Sequence, residues 1–167
     1  MDVRSNRVQQ KKRAYAIGII LVLVFLILLM NLFTHVLSVV KYYGDGMEPA
    51  LKSGDILVVL RTKNVDTGDI AAFYYNNQLL VRRITAEGNQ QITVEPDGTV
   101  LVDGQAEAEP YLETRSLGQS NQTYPCYVPE GQFFVMGDNR AVAMDSRLRE
   151  IGTIPEDRIM GKVIFAF

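Results

Sequence analysis

The pattern of apolar and polar positions changes character once along this chain. Between positions 14 and 33 no residue is charged, and 16–30 is an almost unbroken run of Ile, Leu, Val, Phe and Met. A stretch of about 20 such residues is long enough to cross the ~30 Å hydrocarbon core of a bilayer as a helix. A core helix of that length normally carries a polar stripe, and none appears here. A cleaved secretory signal has a shorter apolar part, and no convincing small-x-small site follows this run. The pattern therefore predicts an uncleaved transmembrane signal-anchor helix over 14–35.

Past Tyr43 the apolar residues fall in short runs rich in Val, Ile, Tyr and Phe, separated by turn signals. They predict strands over 55–60, 69–75, 79–85, 91–95, 99–102, 132–136 and 158–167. Asn76-Asn77 reads as a hairpin turn, Pro96-Asp97-Gly98 as the next turn, and Asp103-Gly104 as the end of a strand. Residues 105–127, rich in Glu, Ser, Asn and Gln, read as one long irregular loop. The expected fold is mainly β, a sandwich or partly closed barrel over 36–167.

Charge orients this arrangement. Arg4, Arg7, Lys11, Lys12 and Arg13, opposed only by Asp2, form a basic tail over 1–13. That bias keeps the N-terminus cytoplasmic and places the β domain outside the cell membrane. With five of 17 basic and one of 19 acidic residues in the first forty positions, the remainder holds 12 and 18, a net charge of −6. Such a surface lacks the clustered cations that nucleic acid requires, so no nucleic-acid partner is expected. Cys126 is the only cysteine, which rules out an internal disulfide, and His35 is the only histidine. A Cys126–His35 catalytic pair is discounted because the histidine sits at the edge of the apolar helix. Neither a metal site nor a cofactor is expected.

Candidate chemistry gathers in two stretches. Gly44-Asp45-Gly46-Met47-Glu48-Pro49-Ala50-Leu51 is a turn whose backbone can approach something closely. Gly137-Asp138-Asn139-Arg140, continuing to Met144-Asp145-Ser146-Arg147, follows the run Val128 to Met136 and packs many polar groups into one turn. Alone, each reads as an ordinary turn bracing the fold. They occur together with Gly54-Asp55, a strand ending in Arg82-Arg83, Val102-Asp103-Gly104 ahead of Glu109-Pro110-Tyr111-Leu112, and Gly161-Lys162-Val163. In that order, over nearly the whole chain, the set resembles the type I signal peptidases, in the short single-helix form of Gram-positive bacteria.

The resemblance implies a membrane-anchored serine protease with a Ser/Lys dyad, cutting exported preproteins after a small-x-small site. Its serine opens a Ser-Met-x-Pro motif, a buried neutral lysine takes the proton, and a second hydroxyl beyond Gly-Asp-Asn-Arg supports that lysine. In this chain the matching positions hold Gly46, Arg82 and Ala143. Glycine offers no nucleophile, alanine no hydroxyl, and a guanidinium with a pKa above ~12 cannot act as the base. No catalytic residue is left intact. The resemblance further makes Gly137, Asp138, Asn139, Arg140, Asp145, Ser146 and Arg147 a structural motif. It lines the substrate groove with Asp45, Gly46, Met47, Pro49, Val81 and Arg82. Arg82 is expected to pair with Asp45, and Met47 to present an adaptable apolar surface.

The first functional reading is a binding module that holds an extended segment of an exported protein by strand addition without cutting it. Some family members lacking the dyad accompany surface-pilus genes, so the resemblance implies a chaperone-like partner of pilin subunits or of a sortase. A second reading is an active signal peptidase with an unrecognised nucleophile, the candidates being Ser38 at the membrane boundary, Ser53 in a surface turn and Ser146. A third is a regulator of an active signal peptidase. The first is favoured, because the scaffold motifs are kept while three members of one mechanism are replaced.

Overall fold

The computed structural model describes residues 3–167, without the side chains of residues 3–11, 14, 32 and 34. It divides into a unit ending at Val36 and a β unit over Leu37–Phe167. Helix α1 covers Val3–Val36 and so begins well before the apolar stretch. The side chains of Arg4, Arg7 and Lys11, and all of Asp2, lie outside the described residues. Apolar side chains from Tyr15 to Met30 are exposed. Among the described residues no helix is long and apolar enough to cross a membrane, the described side chains being interrupted at 14, 32 and 34.

The β unit contains β1 Leu37–Lys41, β2 Ile56–Leu60, β3 Ile70–Tyr75, β4 Gln78–Glu87, β5 Gln91–Val94 and β6 Val100–Val102. It continues with β7 Gln105–Ala106, β8 Cys126–Tyr127, β9 Gln132–Met136, β10 Ile154–Pro155 and β11 Ile159–Ala166. A seven-stranded sheet has the order β1-β2-β11-β3-β4-β9-β10, and a four-stranded sheet the order β7-β6-β5-β8. Every pairing is antiparallel. The fold is mainly β, two antiparallel sheets and one helix.

Local chemistry accounts for the pairing at the centre of the large sheet. Asn76 and Asn77 both adopt positive φ, 47° and 60°, as a two-residue hairpin turn requires, and Tyr75 pairs with Gln78 across it. The strands it joins are buried on both faces. Ala71 and Phe73 pack with Ile84, Val135 and Ile154, whereas Ala72 packs on the opposite face with Val81, Met47, Leu57 and Val59. In β9, Phe133 and Val135 join the first cluster, while Phe134 and Met136 join a third with Ile92, Val94 and Val100 of the small sheet. Strands enclosed in this way read as continuous apolar runs, because no solvent face calls for polar residues.

Two expectations need correction. The apolar run does not end with the helix: Leu37–Lys41 is a strand, pairing from Leu37↔Leu60 to Lys41↔Ile56. Ser38 accordingly sits buried in β1, where its hydroxyl accepts the Arg61 Nε–H at 2.6 Å. Asp103-Gly104 ends β6 as expected, and as a second positive-φ hairpin turn it also leads into β7. The segment 105–127 is mostly irregular but begins and ends in the short strands β7 and β8.

Candidate functional site

The turn after β1 is tied down before any functional group enters it. Tyr42 exchanges backbone hydrogen bonds with Asp55 and Gly54, and the Gly44 N–H donates to the Ser53 hydroxyl at 3.2 Å. Gly44 has φ 116°, which a side chain would resist. Beyond it, Met47 is wholly buried among Leu51, Leu57 and Val59 and anchors the turn. Met47 therefore belongs to the core and does not line the groove, contrary to the sequence reading. Its replacement by Asp would test folding and not binding. Pro49, which follows a cis Glu48–Pro49 bond, is exposed and lies outside the cleft lining described below.

Gly46 is held between two other elements. Its carbonyl accepts the Asn139 N–H at 3.1 Å. A Cβ placed on it would lie 3.2 Å from Nη2 and 3.3 Å from Cζ of Arg82, and 3.4 Å from the Ala143 Cβ. Three positions separated by up to 97 residues in sequence thus meet at a single point, with the guanidinium filling the space a side chain at 46 would enter.

Arg82 reaches that point from β4 and is 7 % exposed. Its Nε donates to the Met144 carbonyl at 2.9 Å and its Nη1 to the Val81 carbonyl at 2.6 Å. Burial pushes its pKa below the ordinary value, and Asp145 and the hydrogen-bonded Tyr42 phenol push it back up. Burial likewise raises the Tyr42 pKa, with Arg82 acting against it. The expected ion pair with Asp45 does not form: backbone carbonyls take the guanidinium instead. Asp45 is exposed on the rim of the same cleft.

The polar turn over 137–147 is a closed hydrogen-bonded frame. Asp145, fully buried, accepts the Gly137 N–H at 2.9 Å and both Nε (2.9 Å) and Nη2 (2.8 Å) of Arg147. Arg147 also donates to the Leu117 and Arg140 carbonyls. Ser146 exchanges bonds with Val135, its hydroxyl accepting the Val135 N–H. Asp138 takes Arg83 through two bonds, at 2.9 and 2.5 Å, and Arg83 stacks 4.1 Å above the Tyr111 ring. Arg140 pairs with Glu109, whose carboxylate also accepts the Tyr111 hydroxyl. Each buried ion of this frame has a partner, the condition under which such charges are tolerated.

A cleft of about 450 Å³ opens beside Gly46, lined by Asp45, Val81 and Arg82 together with Tyr42, Tyr75, Leu79, Val142 and Met144. One wall is a strand edge. Ile84 directs its N–H and C=O toward the β3 side, at Asp69 and Gly68, so by alternation Leu79, Val81 and Arg83 direct theirs the other way. On that side β9 pairs with Arg83 through Met136 and goes no further. Leu79 and Val81 consequently form an unpaired edge among the described residues, and the Arg82 guanidinium covers the Val81 carbonyl. Sequence reasoning found Asp45, Gly46, Val81 and Arg82 but missed Tyr42, Tyr75 and Met144. An isolated tyrosine and a backbone carbonyl give no sequence signal.

An antiparallel β scaffold, a glycine-bearing turn clasped by a Gly-Asp-Asn-Arg frame, and a cleft with an open strand edge define a mainly β domain with a groove suited to an extended segment. A profile of the signal peptidase family, peptidase S26, matches residues 12–167. The chain is 36% identical over 137 residues to signal peptidase I T of Bacillus subtilis, covering 74% of this chain and 70% of that protein. It is 31% identical over 145 residues to signal peptidase IB of Staphylococcus aureus, covering 74% of each. A crystal structure of a signal peptidase I from Enterococcus faecalis superposes with a TM-score of 0.51 and 26% identity, over 59% of this chain and 96% of that one. The chain belongs to the type I signal peptidase family.

Proposed function

We propose that this protein is a signal peptidase scaffold that binds exported segments and does not cut them. The observation that carries the reading is the contact of Gly46, Arg82 and Ala143 at one point of the cleft. The family's mechanism needs a nucleophile, a neutral base and a supporting hydroxyl there. Glycine and alanine supply neither oxygen, and a guanidinium, even with its pKa lowered by burial, stays protonated near neutral pH. The serines proposed as substitutes are already engaged: Ser38 with Arg61, Ser53 with the Gly44 N–H, and Ser146 fully buried against Val135.

The cleft keeps what binding requires. An extended segment would add as a strand along Leu79 and Val81, with side chains resting on Tyr42, Val142 and Met144. The helix would anchor the domain as a single membrane span with the basic N-terminus in the cytoplasm, because residues 14–33 carry no charge. The resemblance to dyad-lacking family members that accompany surface-pilus genes makes pilin subunits, or a sortase acting on them, the partner. The test is a chromosomal deletion. Normal bulk secretion with loss of one surface polymer supports the reading, and accumulation of many uncleaved preproteins would oppose it.

A further inference from the structure

The floor of the cleft carries a charge that the fold does not neutralise. Arg82 is 7 % exposed, yet among the described residues it forms no ion pair. The carboxylate that acts on it most strongly, Asp145, is committed to Arg147 and the Gly137 N–H. Taken together, Arg82, Arg147 and Asp145 leave one net positive charge beneath the cleft. A buried charge without a counter-ion is costly, and a ligand that supplied the missing partner would lower that cost.

The guanidinium is also built to receive one. It has five N–H donors, of which the Met144 and Val81 carbonyls account for two. Its Nη2 lies 3.2 Å from where a Cβ on Gly46 would stand, so the guanidinium itself occupies that point of the cleft lining. The planar fork matches a carboxylate through two parallel hydrogen bonds. Asp45, on the rim, opposes an anion, but it is exposed and its field is screened, whereas Arg82 acts from a buried position. The Val81 carbonyl that Arg82 covers is the acceptor that an added strand needs.

We propose that the cleft recognises a carboxylate on an extended peptide segment, which takes Arg82 and frees the Val81 carbonyl for strand addition. The inference rests on the binding function proposed above and names the chemistry of its ligand. The carboxylate is either an Asp or Glu side chain or a free C-terminus, since both present the same planar pair of oxygens. The site then selects by charge where the family's serine would stand.

The experiment is fluorescence anisotropy with the full-length protein in detergent and labelled Ala/Val heptapeptides. One set carries a single Glu or Gln at each position in turn with an amidated end. A second set contains no acidic residue and ends in either a free carboxylate or an amide. At least one acid peptide is expected to bind about tenfold tighter than its amide counterpart. Glu against Gln assigns the preference to a side chain, and free acid against amide assigns it to a C-terminus. Arg82→Gln is expected to bring the ratio close to one, and Arg82→Lys to restore part of it. Equal binding of acids and amides would overturn the carboxylate site while leaving the groove as a binding site. A preference that survives in Arg82→Gln would place recognition elsewhere and overturn it too. No binding by any peptide would overturn the binding function itself, and this inference with it. The acid-to-amide ratio of the native protein decides the matter even if Arg82→Gln fails to fold.

Discussion

Gly46 and Gly137 are neighbours through Asn139 and Ala143, but they are small for different reasons. A Cβ on Gly137 would collide with the Gly46 carbonyl and the Ala143 Cβ, both held by the frame. A Cβ on Gly46 would meet chiefly the end of the Arg82 side chain, which has to yield by only a few tenths of an ångström. Gly137→Ala is therefore expected to cost more than about 3 kcal/mol, and Gly46→Ala within about 1 kcal/mol. Urea denaturation followed by tyrosine fluorescence measures both. Equal large losses would mean that Gly46 is fixed by backbone packing, and that its lack of a side chain carries no functional meaning. These residues also show what the sequence could convey. Motif order singled out positions 46, 82 and 143, whereas their meeting at one point needed the folded chain. Met47 was misplaced for the same reason: an apolar residue in a turn looks the same in sequence whether it faces a groove or a core.

At the scale of elements, the frame over 137–147 positions the cleft. Asp145 is its hub, joining the Gly137 N–H to the Arg147 guanidinium without contact with water. Asp145→Ala would strand Arg147 as an uncompensated buried charge, and its expected cost is about 3–5 kcal/mol. Thermal or urea unfolding checks this, and a loss below 1 kcal/mol (roughly the worth of an exposed pair) would contradict the description of a sealed frame. The strands β2, β3, β4 and β9 were legible because their apolar runs end in strong turn residues, Asn76-Asn77 above all. β1 was not, because Leu37-Ser38-Val39-Val40 continues the apolar composition of the helix and only pairing with β2 distinguishes the two. The short strands β7, β8 and β10 have two residues each and no periodicity to detect.

The molecule as a whole separates scaffold from chemistry. Both sheets, three buried clusters and the ionic frame form the scaffold of this signal peptidase family member, and on the proposed reading positions 46, 82 and 143 lie where bond cleavage would occur. On that reading, function follows from what the cleft holds: an open edge at Leu79 and Val81, and the fixed Arg82 cation. The most direct measurement is cleavage of a preprotein bearing a small-x-small site, comparing the native protein with the triple variant Gly46→Ser, Arg82→Lys, Ala143→Ser, both in detergent. No product from the native protein and a measurable product from the triple variant is the expected result, because the proposed function holds the scaffold intact and only the reacting groups replaced. Clear cleavage by the native protein would contradict the account and place a nucleophile outside positions 46, 82 and 143.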